Sequence, residues 1–307
     1  MQVKDYKLLW QASNRTIAAR GMFGPLRRAR FMADAFRLQA DLHPLLRAAP
    51  GSLLNRTVNK RPEVLGFIVA PYICNSWDAP TRLRLFANHV DTADRLGRLF
   101  NYDIDHQIDV MPLNDLADDL WIVIDKPVWF FREGTETINL FLNGTRVFTI
   151  AFSLQSEKNG VIAIIGGVQG RNFANSLDIY RDLTKASAGL RPRDLLFEVF
   201  RILCRQFEIE RILAVTDAGR HHRSPYFGQN KVKMTLNYDE VWSDRGGKKI
   251  DHDFFELSSD RSFRDESDIP AKKRSLYRRR YDLLDRLEEK LITAFNCSTA
   301  GLIRRKD

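Results

Sequence analysis

The sequence predicts a mixed α/β (α+β) fold. A mainly antiparallel sheet is closed by one β-α-β crossover, preceded by a helical amino-terminal region and ended by a basic amphipathic helix. Three observations carry this. Apolar residues recur at helical spacing through the first ~110 residues. After Leu120 the period drops to two, with Gly- and Asn-bearing turns between short apolar runs. Two helical stripes then separate an apolar run at 161–168 from another at 211–216, the pattern of a crossover.

In chain order, the first stripe is Phe31, Ala35, Leu38, Leu42, Leu45 and Leu46; Pro44 strains its end and Pro50-Gly51-Ser52 marks a turn. A second helix runs from Pro80 to Leu99, its proline in the first turn, where a missing amide proton costs nothing. Strands are expected at 121–125, 128–132, 137–142, 147–154 and 161–168. Between them Glu133-Gly134, Asn143-Gly144 and Lys158-Asn159-Gly160 supply residues that accept the positive φ of tight turns. The run 161–168 (VIAIIGGV) is apolar on both faces, so it belongs in the sheet centre under helices. Helices follow at 176–187 and 192–207, the second with Leu195, Leu196, Val199, Phe200, Leu203 and Phe207 on one face. Right-handed crossover geometry sets strand 211–216 parallel to 161–168. Past a loop at 217–228, weaker strands are expected at 233–238 and 254–257, and a last helix at 271–295. By pattern the chain divides into a helical region 1–115, a sheet domain 116–260, and a basic helix with tail 261–307.

Composition narrows the function classes. With 44% hydrophobic and 28% charged residues, the 307-residue chain can bury a core and is too apolar for disorder. Its longest apolar stretch is far short of the ~20 residues that span a bilayer. The first twenty residues lack the apolar centre of a secretory signal, so the expectation is a cytoplasmic protein with at most peripheral membrane contact. Cys74, Cys204 and Cys297 are too far apart in sequence for a zinc ribbon or disulfide framework. Walker loop, Gly-x-Ser-x-Gly and His-Glu-x-x-His patterns are absent. The net charge of +9 is local: six cations and no acid lie in Lys272-Lys273-Arg274-Ser275-Leu276-Tyr277-Arg278-Arg279-Arg280. Such a cluster suits a phosphate-bearing partner, whether tRNA, a lipid A-like lipid or coenzyme A.

Candidate chemistry concentrates at the carboxyl ends of the central strands, where α/β sheets build sites. His221 and His222 follow strand 211–216, where an imidazole can act as general base. No metal is expected, because adjacent side chains of an extended loop point to opposite sides. Glu133 either caps a hairpin or, with Arg132 facing the same cleft, serves as general base. Asp217 ends its strand as a turn former or substrate contact, and Tyr226 shares the His221 loop. Gln169, Gly170 and Arg171 end the central strand, where backbone amides and a guanidinium can hold phosphate. Gly166-Gly167 just before them implies something packed close to the backbone. Lys185, Arg191 and Arg193 flank the next helix start, which favours anions. Lys272, Arg278 and Tyr281 combine cations with an aromatic ring, an arrangement for nucleic acid; Arg278 and Asp282 are four apart and can instead satisfy each other.

The strand order resembles the acetyltransferase-type fold of the GCN5-related superfamily. That resemblance implies acyl transfer from a coenzyme A thioester or aminoacyl-tRNA to an amine or hydroxyl, with the donor's arm entering a gap between parallel strands. Here Asn172 stands where that superfamily's phosphate loop has glycine. Several strings are also similar to the VirK/YbjX family of Gram-negative bacteria: Phe131-Arg132-Glu133-Gly134, Ile165-Gly166-Gly167-Val168-Gln169-Gly170, Leu183-Thr184-Lys185 with Gly189-Leu190-Arg191-Pro192, Tyr238-Asp239 with Trp242, and Ile269-Pro270-Ala271-Lys272-Lys273-Arg274 with Tyr277 to Tyr281. This second resemblance implies a virulence or antimicrobial-peptide-resistance context and no defined reaction.

Overall fold

The computed structural model describes residues 2–17, 23–173, 175–228 and 236–303. The amino-terminal helices are α1 (Val3–Thr16), α2 (Gly24–Arg37), α3 (Gln39–Leu46), α4 (Leu53–Lys60) and α5 (Ala79–Leu96), with a 3-10 stretch at Pro62–Ile68. The stripe that reads as one helix breaks at Leu38 (φ −93°, ψ 21°), yet Phe31, Ala35, Leu42 and Leu45 all stay buried. The Asp78 carboxylate caps α5 by accepting from the Thr81 amide at 3.0 Å, one residue before the first-turn pair Ala79-Pro80.

Among the described residues nine strands form one sheet: β1 (His106–Pro112), β2 (Leu120–Asp125), β3 (Glu136–Leu142), β4 (Thr145–Glu157), β5 (Gly160–Gly170), β6 (Ile209–Val215), β7 (Lys248–Lys249), β8 (Phe254–Leu257) and β9 (Gly301–Leu302). Their order is β7-β8-β6-β5-β4-β3-β2-β1-β9. Every pairing is antiparallel except β5 with β6, which the crossover helices α6 (Ser176–Ala186) and α7 (Pro192–Gln206) make parallel. Side-chain alternation along β4 builds a layer on each face. Phe152 meets Phe200 of α7 at 4.9 Å between ring centroids, while Ser153, on the opposite face, accepts from the Tyr72 hydroxyl at 3.0 Å. Two further helices are α8 (Tyr238–Ser243) and α9 (Ala271–Cys297), and α9 packs on α7. Among the described residues no helix is long and apolar enough to cross a membrane.

Two expectations are corrected, and a third falls mostly outside the described residues. The segment 128–132 is a 3-10 turn (Val128–Phe130) within a loop, because β2 pairs Asp125 directly with Thr137 and leaves 126–136 outside the ladder. β1 lies in what reads as helical sequence; its buried Ile108 and Val110 alternate, but the run is short and ends in Pro112. Most of the strand expected at 233–238 lies outside the described residues, and Tyr238 opens α8.

The pairing of β5 with β6 stops at Ile165 with Ala214, although β5 continues to Gly170. Tyr238 takes over beyond that point. Its hydroxyl accepts from the Val168 amide at 2.7 Å and donates to the Val168 carbonyl at 3.2 Å, and the residue is 1% exposed. The gap that the acetyltransferase-type comparison reserves for a donor's arm therefore holds a side chain.

At the other end of the 126–136 loop lies a buried ion pair. Lys126 Nζ sits 3.0 Å from Glu136 Oε1 and donates to the Phe100 and Tyr102 carbonyls at 2.8 and 3.0 Å; the Tyr102 hydroxyl donates to Glu136 Oε2 at 2.8 Å. These contacts anchor both ends of the loop that carries Glu133.

Candidate functional site

The 126–136 loop lays Glu133 flat against β5. The Glu133 amide donates to the Phe130 carbonyl at 2.7 Å, fixing the turn. A Cβ on Gly166 would lie 2.1 Å from the Glu133 carbonyl oxygen, and one on Gly167 would lie 1.9 Å from Glu133 Oε2. The neighbour that the paired glycines imply is thus Glu133 itself, and only glycine admits it.

Opposite Glu133, residues His221–Arg223 form a 3-10 turn. The sequence reading sends His221 and His222 to opposite sides; the turn instead brings their rings to 3.7 Å between centroids. In extended backbone, neighbouring side chains diverge by about 180°, whereas a 3-10 turn separates them by ~120°. His222 Nε2 stands 3.2 Å from Glu133 Oε1. The His221 amide donates to the Ile73 carbonyl at 3.1 Å, while its ring is 3% exposed and its Nδ1 has no hydrogen-bond partner. Burial, with His222, Arg132 and Arg220 nearby, holds His221 well below the usual histidine range, so it is neutral.

Arg132 and Tyr226 wall this cluster. The Arg132 guanidinium lies 5.0 Å from the Tyr226 ring centroid and donates to its hydroxyl at 3.3 Å, and that hydroxyl donates to the Thr16 carbonyl at 2.9 Å. Phe227 covers both imidazoles, 5.8 and 5.6 Å from their centroids. Asp217 serves the loop rather than the cleft. It pairs with Arg223 and with Arg220 (3.3 Å), and its amide donates to Asp239. Burial opposes its ionisation, but these arginines hold its carboxyl below the usual range.

Most of the expected anion-binding residues line three adjoining clefts, two of them at the end of β5. Gln169, Gly170 and Arg171 share a cavity of about 480 Å³ with Trp129, Phe130, Arg146 and Thr149. Gly170, Lys185, Arg191 and Arg193 line a second, of about 540 Å³, with Phe148, Tyr180, Pro192 and Leu236 as its apolar wall. Arg191 and Arg193 also line a third, of about 660 Å³, together with Arg245, Arg264, Tyr277, Arg280 and Tyr281. Burial, followed by crowding from Arg193 and Arg191, lowers the proton affinity of Arg245, which nonetheless stays charged. Asp194 (which pairs with Arg245), Glu198 and Asp244 share this wall, but seven arginines against three carboxylates leave the cleft net positive. Lys272 and Arg278 stand apart on the exposed start of α9, and Arg278 pairs with Glu266 at 2.6 Å. Among residues the sequence reading missed, Arg245, Phe227, Leu236 and Tyr238 matter most; only Tyr238 carried a signal, as part of a family-like string.

All three cysteines are free. Burial pushes the Cys74 thiol up to about 11 and raises Cys204 further still, while Cys297 is exposed.

Fold and site together define a mixed-sheet α/β protein with an arginine-walled groove at the end of its central strand and a carboxylate–histidine cluster beside it. The family model described as "Protein of unknown function (DUF535)" matches residues 25–293, and the chain belongs to that family. It is 30% identical over 166 residues to an uncharacterized Escherichia coli protein named YbjX (53% of this chain, 50% of the relative). Two uncharacterized Haemophilus influenzae proteins are 35% identical over 146 residues (46% of this chain, 48% of the relative) and 27% identical over 224 residues (72% and 73%). The chain thus spans about half the length of the first two relatives. These matches bear out the YbjX resemblance. No solved structure matches.

Proposed function

We propose that this chain binds a phosphate-bearing amphiphilic donor along the groove and transfers an acyl group from it to an amine or hydroxyl. The observation that carries the reading is the shared wall: Gly170, Lys185, Arg191 and Arg193 line one half-apolar cleft, and Arg191 and Arg193 continue into the arginine-rich one. A donor with phosphates at one end and an acyl-bearing arm at the other matches that sequence of surfaces. Arg191, Arg193 and Arg280 take the phosphates; Phe148, Tyr180 and Leu236 take the arm. Glu133 and His222, at hydrogen-bond distance, supply the base that takes the acceptor's proton as its amine or hydroxyl attacks the acyl carbon, and that proton passes to the thiolate or ribose oxygen that leaves with the donor. Because Tyr238 occupies the space between β5 and β6, the donor lies across the end of β5. A coenzyme A thioester and an aminoacyl-tRNA both carry the required chemistry.

Thermal-shift titration with coenzyme A esters, aminoacyl-tRNA and lipid A fragments tests this, repeated on Arg193→Ala and Arg278→Ala. A donor-induced shift that Arg193→Ala abolishes and Arg278→Ala leaves intact is the expected result. The reading fails if no donor shifts the wild type.

A second reading has its own support. Phe263, 63% exposed, stands 5.1 Å from Tyr281 beside the basic start of α9. That pairing suits a non-catalytic factor that docks on phosphorylated lipid through Lys272 and Lys273. Sedimentation with anionic vesicles that depends on Lys272 and not on Arg193 would favour it.

A further inference from the structure

Glu133, His221 and His222 have a capacity that general-base chemistry leaves unused. The geometry points to a site for a first-row divalent cation, zinc or iron, held by the Glu133 carboxylate and the two imidazoles. The inference goes beyond acyl transfer and stands without it; an ion here would take the lone pairs of Glu133 and His222, so metal binding and general-base action by these two side chains exclude each other.

Four observations converge. One ligand-capable atom from each of the three residues lies within 4.8 Å of the others. Around a tetrahedral ion with ~2.0–2.1 Å bonds, neighbouring donors sit ~3.4 Å apart, so modest side-chain closure completes the set. Two imidazoles and one carboxylate form the donor set of catalytic zinc and of non-haem iron, both of which keep positions open for water or substrate. His221 is 3% exposed and its Nδ1 lacks any hydrogen-bond partner. Buried polar atoms are normally satisfied, and an ion in the cluster is a partner that would supply what the protein withholds. Finally, the backbones that carry two of the ligands are held, leaving only side-chain rotation for closure: Glu133 lies against the paired glycines, and the His221 amide is tied to the Ile73 carbonyl at 3.1 Å. The His222 side chain remains 31% exposed, which leaves a route of entry.

Two cations border the site. Arg220 is paired with Asp217 and stacked 3.7 Å from the Tyr238 ring centroid, so its charge is compensated. Arg132 has a buried Nε without a hydrogen-bond partner. An anion bound beside the ion would balance the Arg132 charge. The cluster of Asp103, Asp105 and His106 offers similar donor types, but Lys60 already binds both of its aspartates, at 2.6 and 3.0 Å.

The test is metal binding by the full chain, free of any histidine tag and of acyl donor. Protein stripped with chelator is titrated with Co²⁺ and followed by visible absorption, then competed with Zn²⁺. One equivalent, with the intense d–d bands of low-coordinate cobalt displaced by Zn²⁺, is expected. Glu133→Gln and His222→Gln should each weaken binding by at least about tenfold. His222→Gln alters the half-exposed ligand, so thermal unfolding should show it folded. The proposal is overturned if the wild type gives no cobalt bands, or if folded His222→Gln binds Co²⁺ as tightly as wild type. Donor shifts measured in chelator report on the acyl reading separately.

Discussion

Replacing Gly167 with alanine should break the cluster from behind. The added Cβ would lie 1.9 Å from Glu133 Oε2, 2.7 Å from its Cδ and 2.8 Å from its Cβ. Ordinary contact needs ~3.5 Å, so the carboxylate must retreat by about 1.5 Å. Rotation alone does not suffice, because the Glu133 Cβ is also too close and its backbone is held by the Phe130 carbonyl. The 3.2 Å contact with His222 is then lost. Overpacking of this kind costs about 1–3 kcal/mol, and for a chain of this size each kcal/mol lowers Tm by roughly 2–4 °C. The assay is a double-mutant cycle by denaturant unfolding, with Glu133→Ala as the partner change. Removing the carboxylate relieves the two contacts beyond Cβ, so Gly167→Ala should cost at least about 1 kcal/mol less in that background. Equal costs in both backgrounds would refute the claim that Glu133 is what requires the glycine.

Three further outcomes follow from particular contacts. Lys126→Met leaves the buried Glu136 carboxylate with the Tyr102 hydroxyl as its hydrogen-bond donor and the His89 imidazole 3.9 Å away, a loss of about 3–5 kcal/mol in chemical unfolding. Burial raises Glu136, and losing Lys126 raises it further, so the folded variant binds its proton more tightly than the unfolded chain. Its deficit should be smallest below the unfolded carboxyl range near pH ~4 and grow as pH rises above it, a trend that unfolding at a series of pH values would read. Tyr238→Phe strips the Val168 amide and carbonyl of their partner, and should cost about 1–3 kcal/mol without changing the far-ultraviolet spectrum. A thiol reagent at pH 8 should label Cys297 rapidly, with Cys74 and Cys204 reacting only on unfolding; fast labelling of two or three thiols would contradict the burial described.

Much of the sheet was readable from pattern. Period-two runs and Asn143-Gly144 place β2 to β5 within a few residues, and the stripe from Leu195 to Phe207 places the crossover, because both signals are local. What escaped depends on pairing between distant segments. Nothing in 128–132 (VWFFR) announces that Asp125 will pair with Thr137 and push these residues out of the ladder. The histidines were legible as residues but not as a cluster, since their convergence needs the 3-10 turn at 221–223 and the Ile73 carbonyl. Likewise the arginines of 191–193 and the ring of Tyr277 lie more than eighty residues apart in sequence. Only the packing of α9 on α7 joins them, and it brings Tyr277, Arg280 and Tyr281 of the basic helix into the groove while Lys272 and Arg278 stay outside it.

That joining has a thermodynamic consequence. Arg191 and Arg193 are common walls of two clefts, so two small anions, one in each, would compete for the same guanidinium donors. One long molecule bridging the clefts uses each donor once and loses its translational freedom once. Its second end docks at an effective concentration set by its own length, typically millimolar for a short flexible link. The shared arginines thus favour a single extended ligand over any pair of short ones, and make fragment affinities poor guides to that of the whole.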